Sequence, residues 1–143
     1  MNDPDDPGGE TKYGISKRTY PKLDIKNLTE QQAKDIYYTD WYVPLHLNEI
    51  KDLRIAAKVL DTCVNVGKKP GMRIFQQSLR ERGHNVTVNG IVSGATIEAA
   101  NRANPEKLLG VLQGRQAAYY RSLIVANPTL AKYAVGWMKR AYS

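Results

Sequence analysis

These 143 residues contain almost no cysteine or histidine: one Cys, Cys63, and two His, His46 and His84. A single thiol excludes an intramolecular disulfide, and so small a set cannot build a Cys/His zinc cluster, so no metal site is expected. No apolar run approaches the roughly 18 residues that a membrane-spanning helix needs. Met1 is followed by Asn2-Asp3-Pro4, not by the basic and apolar start of a signal peptide. Membrane insertion and Sec export are therefore not expected from this chain. The residues that do occur are those of one ordinary domain, 42% apolar and long enough to bury a real core without covalent staples.

Charge is unevenly placed. The chain carries 21 Lys and Arg against 14 Asp and Glu, a net of +7, yet residues 1–11 hold Asp3, Asp5, Asp6 and Glu10 with no base. All 21 basic residues thus face ten acidic ones on the remainder, which is +11 there. A basic body attracts polyanions, whether nucleic acid, anionic lipid or a cell wall bearing carboxylates and phosphates. No zinc-finger spacing, RNA-recognition aromatic motif or basic heptad supports a nucleic-acid partner.

Local patterning predicts a mainly helical (α+β) chain. Residues 3–11 read as turn chemistry from their prolines, carboxylates and glycines, with little regular structure before residue 28. Thr29 and Gln32 form a capping box, which starts a helix running through Ile36 and Tyr37 towards Trp41, where Pro44 interrupts. From Glu49, Ile50, Leu53, Ala57, Leu60 and Val64 recur at helical spacing until Gly67 and Pro70. A shorter helix over 70–82 places Met72, Phe75 and Leu79 on one face. Val86–Val88 and Ile91–Val92 flank Asn89-Gly90, the signal for the one small β-hairpin. Ser93, Asn104 and Asn127 cap three further helices, the last two with proline at the first helical position. Leu108, Leu112, Tyr119 and Leu123 stripe one of them, and Leu130, Ala134, Trp137 and Ala141 the next.

The acidic loop is the most unusual segment. Three carboxylates within four residues repel one another and raise at least one pKa where burial helps, which is what acid/base catalysis needs. Asp-Pro and Asp-Asp-Pro are equally ordinary turn formers. Calcium is excluded because the fifth and twelfth loop positions, counted from Asp3, are Pro7 and Gly14. Elsewhere, Tyr13 suits either a sugar-stacking ring or a core anchor. Asn65 interrupts an apolar face and either binds substrate amides or satisfies the helix end. Arg115 with Tyr119, Tyr120 and Arg121 reads either as a basic, aromatic patch for an anionic strand or as a solvated helix face. Cys63 reads as a small buried hydrophobe.

Residues 2–16, from Asn2-Asp3-Pro4-Asp5-Asp6-Pro7-Gly8-Gly9-Glu10-Thr11 to Tyr13-Gly14-Ile15-Ser16, resemble the signature segment of glycoside hydrolase family 108. That family comprises muramidases also described as secretion activator proteins and common among phage-type endolysins. Leu60–Gly67, Phe75–Leu79, Val88–Thr96 and Gly136-Trp137 resemble the peptidoglycan-binding region that follows in the family. The resemblance implies a single lysozyme-like domain over 1–143, with a catalytic-loop lobe at 1–55 and a helical peptidoglycan-binding lobe at 56–143. It implies hydrolysis of the β-1,4 bond between N-acetylmuramic acid and N-acetylglucosamine, with peptidoglycan strands as partner, no cofactor, and action at the cell wall or periplasm after cytoplasmic synthesis. The family's catalytic glutamate belongs to a Glu-Gly-Gly-Tyr stretch a few residues before Asn-Asp-Pro, so the chain reads as truncated at its amino end.

Glycosidases use a second group, a nucleophile about 5 Å from the acid or a water-activating base at about 6.5–9.5 Å. Asp6 is the expected second carboxylate, with Asp5 behind it, and Thr11 is expected to hold the attacking water, by analogy with the Glu/Asp/Thr arrangement of phage-type lysozymes. Gly8 and Gly9 let backbone approach the sugar, while Tyr13, Asn65, Arg115 and Tyr120 are the expected substrate contacts. Glu10 is expected to cap or pair locally. The competing expectation is a module that binds wall or a secretion partner without cutting.

Overall fold

The computed structural model describes residues 11–143, which divide between Pro44 and Leu45 into two compact units, 11–44 and 45–143. In the first, β1 (Thr11–Lys12) and β2 (Ile15–Ser16) form an antiparallel hairpin with Thr11 opposite Ser16 and Lys12 opposite Ile15. The turn is Tyr13-Gly14, both at positive φ (53° and 79°), the geometry that matches a two-residue hairpin to strand twist. Helix α1 (Glu30–Tyr37) starts at the expected capping box: Gln32 N–H donates to Thr29 Oγ1 (3.1 Å) and Thr29 N–H to Gln32 Oε1 (2.9 Å). A π-helical turn, Tyr38–Tyr42, prolongs it towards Pro44. Ile15, Ile25, Leu28 and Ala33 form the core of this unit, with Tyr20, Leu23, Ile36 and Tyr37 packed around them.

The second unit is built on α2 (Leu53–Val66), α3 (Lys68–Glu81), α4 (Gly94–Arg102), α5 (Pro105–Ala126) and α6 (Ala134–Ala141). Asp52 caps α2, accepting from the backbone N–H groups of Arg54 (2.9 Å) and Ile55 (3.3 Å). Gly67 joins α2 to α3 at φ +107°, a conformation that a β-carbon disfavours. Ser93 and Asn104 cap α4 and α5 as expected from sequence. At Asn127-Pro128 the chain first makes a 3-10 helix, Pro128–Tyr133, and only then becomes α6. Among the described residues no helix is long and apolar enough to cross a membrane.

Two sequence expectations need correction here. The small hairpin lies at Thr11–Ser16, in the stretch before residue 28 where the sequence predicts little regular structure, and not at Val86–Val92. The second segment forms no ladder because a buried side chain takes its backbone bonds. Gln76 Oε1 accepts from the N–H groups of Asn89 (3.0 Å) and Gly90 (2.9 Å), and Gln76 Nε2 donates to Ile91 O (2.9 Å). The buried face of α2 is also rotated from the predicted stripe. It comprises Ile55, Ala56, Val59, Thr62 and Cys63, while Leu53 is 74% exposed and Leu60 and Val64 are half-buried. Helices α3 and α5 pack on α2 from directions that its own periodicity does not specify.

Helices α2 and α3 approach closely at Gly71 on α3. A β-carbon there would lie 2.7 Å from both Cα and Sγ of Cys63, and 3.0 Å from its backbone nitrogen. Backbone cannot yield, so Gly71→Ala is expected to destabilise the protein by about 1–3 kcal/mol through overpacking, read from the urea midpoint. Gly110 and Gly114 on α5 have nothing within 4 Å of the same position. Gly110→Ala or Gly114→Ala is expected to raise stability by about 0.5–1 kcal/mol, since only helix propensity changes. Equal effects at Gly71 and Gly110 would refute the packing account.

Candidate functional site

Of the residues expected from sequence, Asp5, Asp6, Gly8, Gly9 and Glu10 lie outside the described residues. Thr11 is half-buried in β1, and Tyr13 is 49% exposed at the hairpin turn. Sequence spacing brings these two together, and tertiary contacts hold the hairpin that carries them. The Tyr37 hydroxyl donates to Tyr13 O (2.5 Å), which ties the turn to the end of α1, and Lys12 Nζ sits 5.6 Å from the centre of the Tyr13 ring. Tyr20 adds a second tie within this unit, donating to Asp40 (2.9 Å) and accepting from the Trp41 indole (3.2 Å). Burial is the largest influence on the Tyr20 hydroxyl and raises its pKa.

Asn65 and Tyr120 meet in a different place, a polar network between α2, α5 and α6. The Asn65 amide donates to Asp61 O (2.7 Å) and Asp61 Oδ1 (3.1 Å), and its oxygen accepts from Arg140. These bonds occupy it locally, in keeping with the reading in which it satisfies the helix end. Tyr120 is 2% exposed, its hydroxyl accepts from Gln116 Nε2 (3.0 Å), and its ring stacks on Trp137 at 4.9 Å. Such burial leaves no ring face for a sugar, which corrects the expectation that Tyr120 contacts substrate. Burial also raises its pKa.

The members of this network escaped sequence reasoning, apart from Asn65 and Tyr120. Thr62 Oγ1 lies 2.8 Å from Lys58 O and 3.0 Å from Gln116 Oε1. Lys58 Nζ donates to Ala141 O (2.8 Å) and Arg140 O (3.2 Å), capping the end of α6. Burial lowers the Lys58 pKa, partly opposed by Asp61. The available signal was polar residues recurring on the buried faces of α2 and α5, which a hydrophobic-stripe reading passes over. Among the described residues no group of three or more His, Cys, Asp or Glu is placed to hold a metal ion.

Arg115 stands apart from Tyr120, about 140° round the helix for five residues. Its guanidinium reaches Glu81 at the end of α3 through NH2 (2.8 Å) and Nε (3.0 Å). Beside this pair runs an open groove of about 610 Å³, with Arg82 on the α3 side and Lys107, Gly110 and Gly114 along α5. The groove combines three cations with one carboxylate and exposes a helix face without side chains at two positions. That arrangement can attract and seat an anion; among the described residues it places no base beside a nucleophile.

Residues 1–67 match the family model described as Glycosyl hydrolase 108, and residues 70–142 match the one described as Predicted Peptidoglycan domain. Among solved structures, the chain is similar to one titled "Structure of Brucella abortus SagA", at 21% identity and a TM-score of 0.79. The similarity covers 99% of this chain and 80% of that one, and at such identity it shows the fold. A comparison with curated proteins finds no match.

Proposed function

The chain belongs by more than half its length, residues 70–142, to the predicted peptidoglycan domain family, and from the glycosyl hydrolase 108 match over residues 1–67 we propose that it is an N-acetylmuramidase. The bond it cleaves is the β-1,4 link from N-acetylmuramic acid to N-acetylglucosamine. The observation that carries this reading is the family match over 1–67, which spans the Asp5-Asp6 loop and is followed at residue 70 by a domain for the same polymer. Action at the cell wall or periplasm, as in phage-type endolysis, belongs to the same reading.

Asp6 is the second carboxylate, serving as nucleophile or as the base that activates water, with Asp5 supporting its charge. Thr11 holds the attacking water through its hydroxyl. Gly8 and Gly9 let the main chain lie against the sugar, and the exposed Tyr13 ring offers an apolar face to a pyranose. The chemistry moves protons between carboxyl groups and a glycosidic oxygen and calls for no cofactor.

A second reading is favoured by the match of residues 70–142, more than half of the chain, to a predicted peptidoglycan domain. In that reading the chain holds peptidoglycan without cutting it. Digestion of purified sacculi, followed by identification of the new reducing ends, tests the bond assignment. Reducing N-acetylmuramic acid is the expected product. Reducing N-acetylglucosamine would assign a different bond, and wall binding with no new ends under any condition would leave the binding module.

A further inference from the structure

We infer that the groove between α3 and α5 seats the carboxylate-bearing peptide stem of peptidoglycan, not its sugar backbone, an inference that rests on the peptidoglycan reading above. Three observations converge. The groove is electropositive: Arg82 and Lys107 make no side-chain hydrogen bond or ion pair among the described residues, while Arg115 is balanced by Glu81. Two uncompensated cations across one cleft favour a ligand carrying free carboxylates, and guanidinium geometry suits a carboxylate fork.

The floor is bare where helix stability argues for a side chain. Gly110 and Gly114 lie one turn apart in the interior of a 22-residue helix, where each costs about 1 kcal/mol against alanine. Core packing does not require them, since a β-carbon at either position would meet nothing within 4 Å. What their bareness does provide is a flat trough one helical turn long, open for a ligand backbone with small side chains to lie in.

The groove also lacks what a sugar needs. Pyranose rings are held by exposed aromatic faces, and the remaining lining side chains here are Val111 and Ala118. The aromatic rings of α5, α6 and the 3-10 helix between them are committed to one another, Tyr119 edge-on to Tyr120 at 6.4 Å, Tyr120 to Trp137 at 4.9 Å and Tyr133 to Trp137 at 5.4 Å. Peptide stems of the wall are short, rich in alanine and terminated by carboxylates, and match the small-residue floor and the cationic walls.

The test uses the whole 143-residue chain in pelleting assays at fixed ionic strength. The probes are intact sacculi, sacculi stripped of their stems by an amidase, and two soluble competitors, the free stem peptide and inorganic phosphate. Stripped walls are expected to hold the chain roughly tenfold less tightly than intact ones, and stem peptide to compete where phosphate does not. Arg82→Gln with Lys107→Gln, and separately Gly110→Leu, are each expected to weaken binding to intact sacculi roughly tenfold. Leucine at 110 points into open space and improves helix propensity, so its Tm should hold or rise, which separates a blocked groove from a broken fold.

Equal binding to stripped and intact walls would overturn the inference, as would competition by phosphate in place of stem peptide. Variants that bind intact sacculi like the wild type would overturn the groove assignment and leave the peptidoglycan reading standing. Failure of the wild type to bind intact sacculi would remove both.

Discussion

A chain extended at its amino end by Glu-Gly-Gly-Tyr is expected to clear a suspension of purified cell walls roughly 10²–10⁴-fold faster than the 143 residues alone. The magnitude is that of one positioned general acid, about 3–5 kcal/mol of barrier, because an unprotonated glycosidic oxygen is a poor leaving group. In the proposed muramidase reading the general acid is the glutamate of such a stretch, a few residues before Asn2-Asp3-Pro4. Glutamine in place of the added glutamate should return the rate to that of the shorter chain. Asp6→Asn in the extended chain should cost a similar factor, since protonating the leaving group achieves little without a nucleophile or an activated water. If the 143 residues clear walls as fast as the extended chain, the acid is among them. Glu10→Gln would then identify it, and the roles proposed for the loop would have to be redrawn.

Cys63 in the native protein is expected to react with a disulfide reagent near pH 8 about 10³-fold more slowly than in the denatured chain. Burial pushes its thiol from the ordinary value of 9.0 up to about 12, with Lys68 opposing weakly, and the residue is 0% exposed. The thiolate is the reacting species, so a rise of that size cuts its fraction about a thousandfold before access is considered. The same shift has a consequence for stability. Below the unfolded value both states keep the proton and Cys63 adds no pH dependence. Between about 9 and about 12 the unfolded chain loses its proton first, and stability falls as pH rises.

Lys58 acts in the opposite sense. Its pKa is lowered by burial, so through a window below the usual 10.5 the native state releases its proton first and stability rises with pH. Comparing urea midpoints of the wild type and Cys63→Ala from pH 8 to 10.5 isolates the thiol. The decline should be steeper in the wild type. Native protein that reacts at the rate of the denatured chain would show the thiol to be accessible.

The sequence by itself determined the features whose causes lie within a few residues. Thr29 with Gln32, Ser93, and Asn104 with Pro105 begin helices where their caps predict, because a cap is closed by backbone N–H groups two or three positions on. Residues 2–16 sufficed for the family resemblance, and the match over 1–67 agrees with it. Tertiary structure decided which faces those helices bury and what the polar residues do. Helix α2 turns Ile55, Ala56 and Val59 inward, and not Leu53 and Ala57, because the elements that cover it come from later in the chain. Val86–Val92 forms no hairpin because Gln76 takes its backbone bonds from ten or more residues away. Arg115 reaches Glu81 across 34 positions and Lys58 reaches Ala141 across 83. Tyr120 is lost as a surface ring to its stack with Trp137. Periodicity reports how often a side chain returns to one side of a helix, but which side is dry depends on neighbours that only the folded chain supplies.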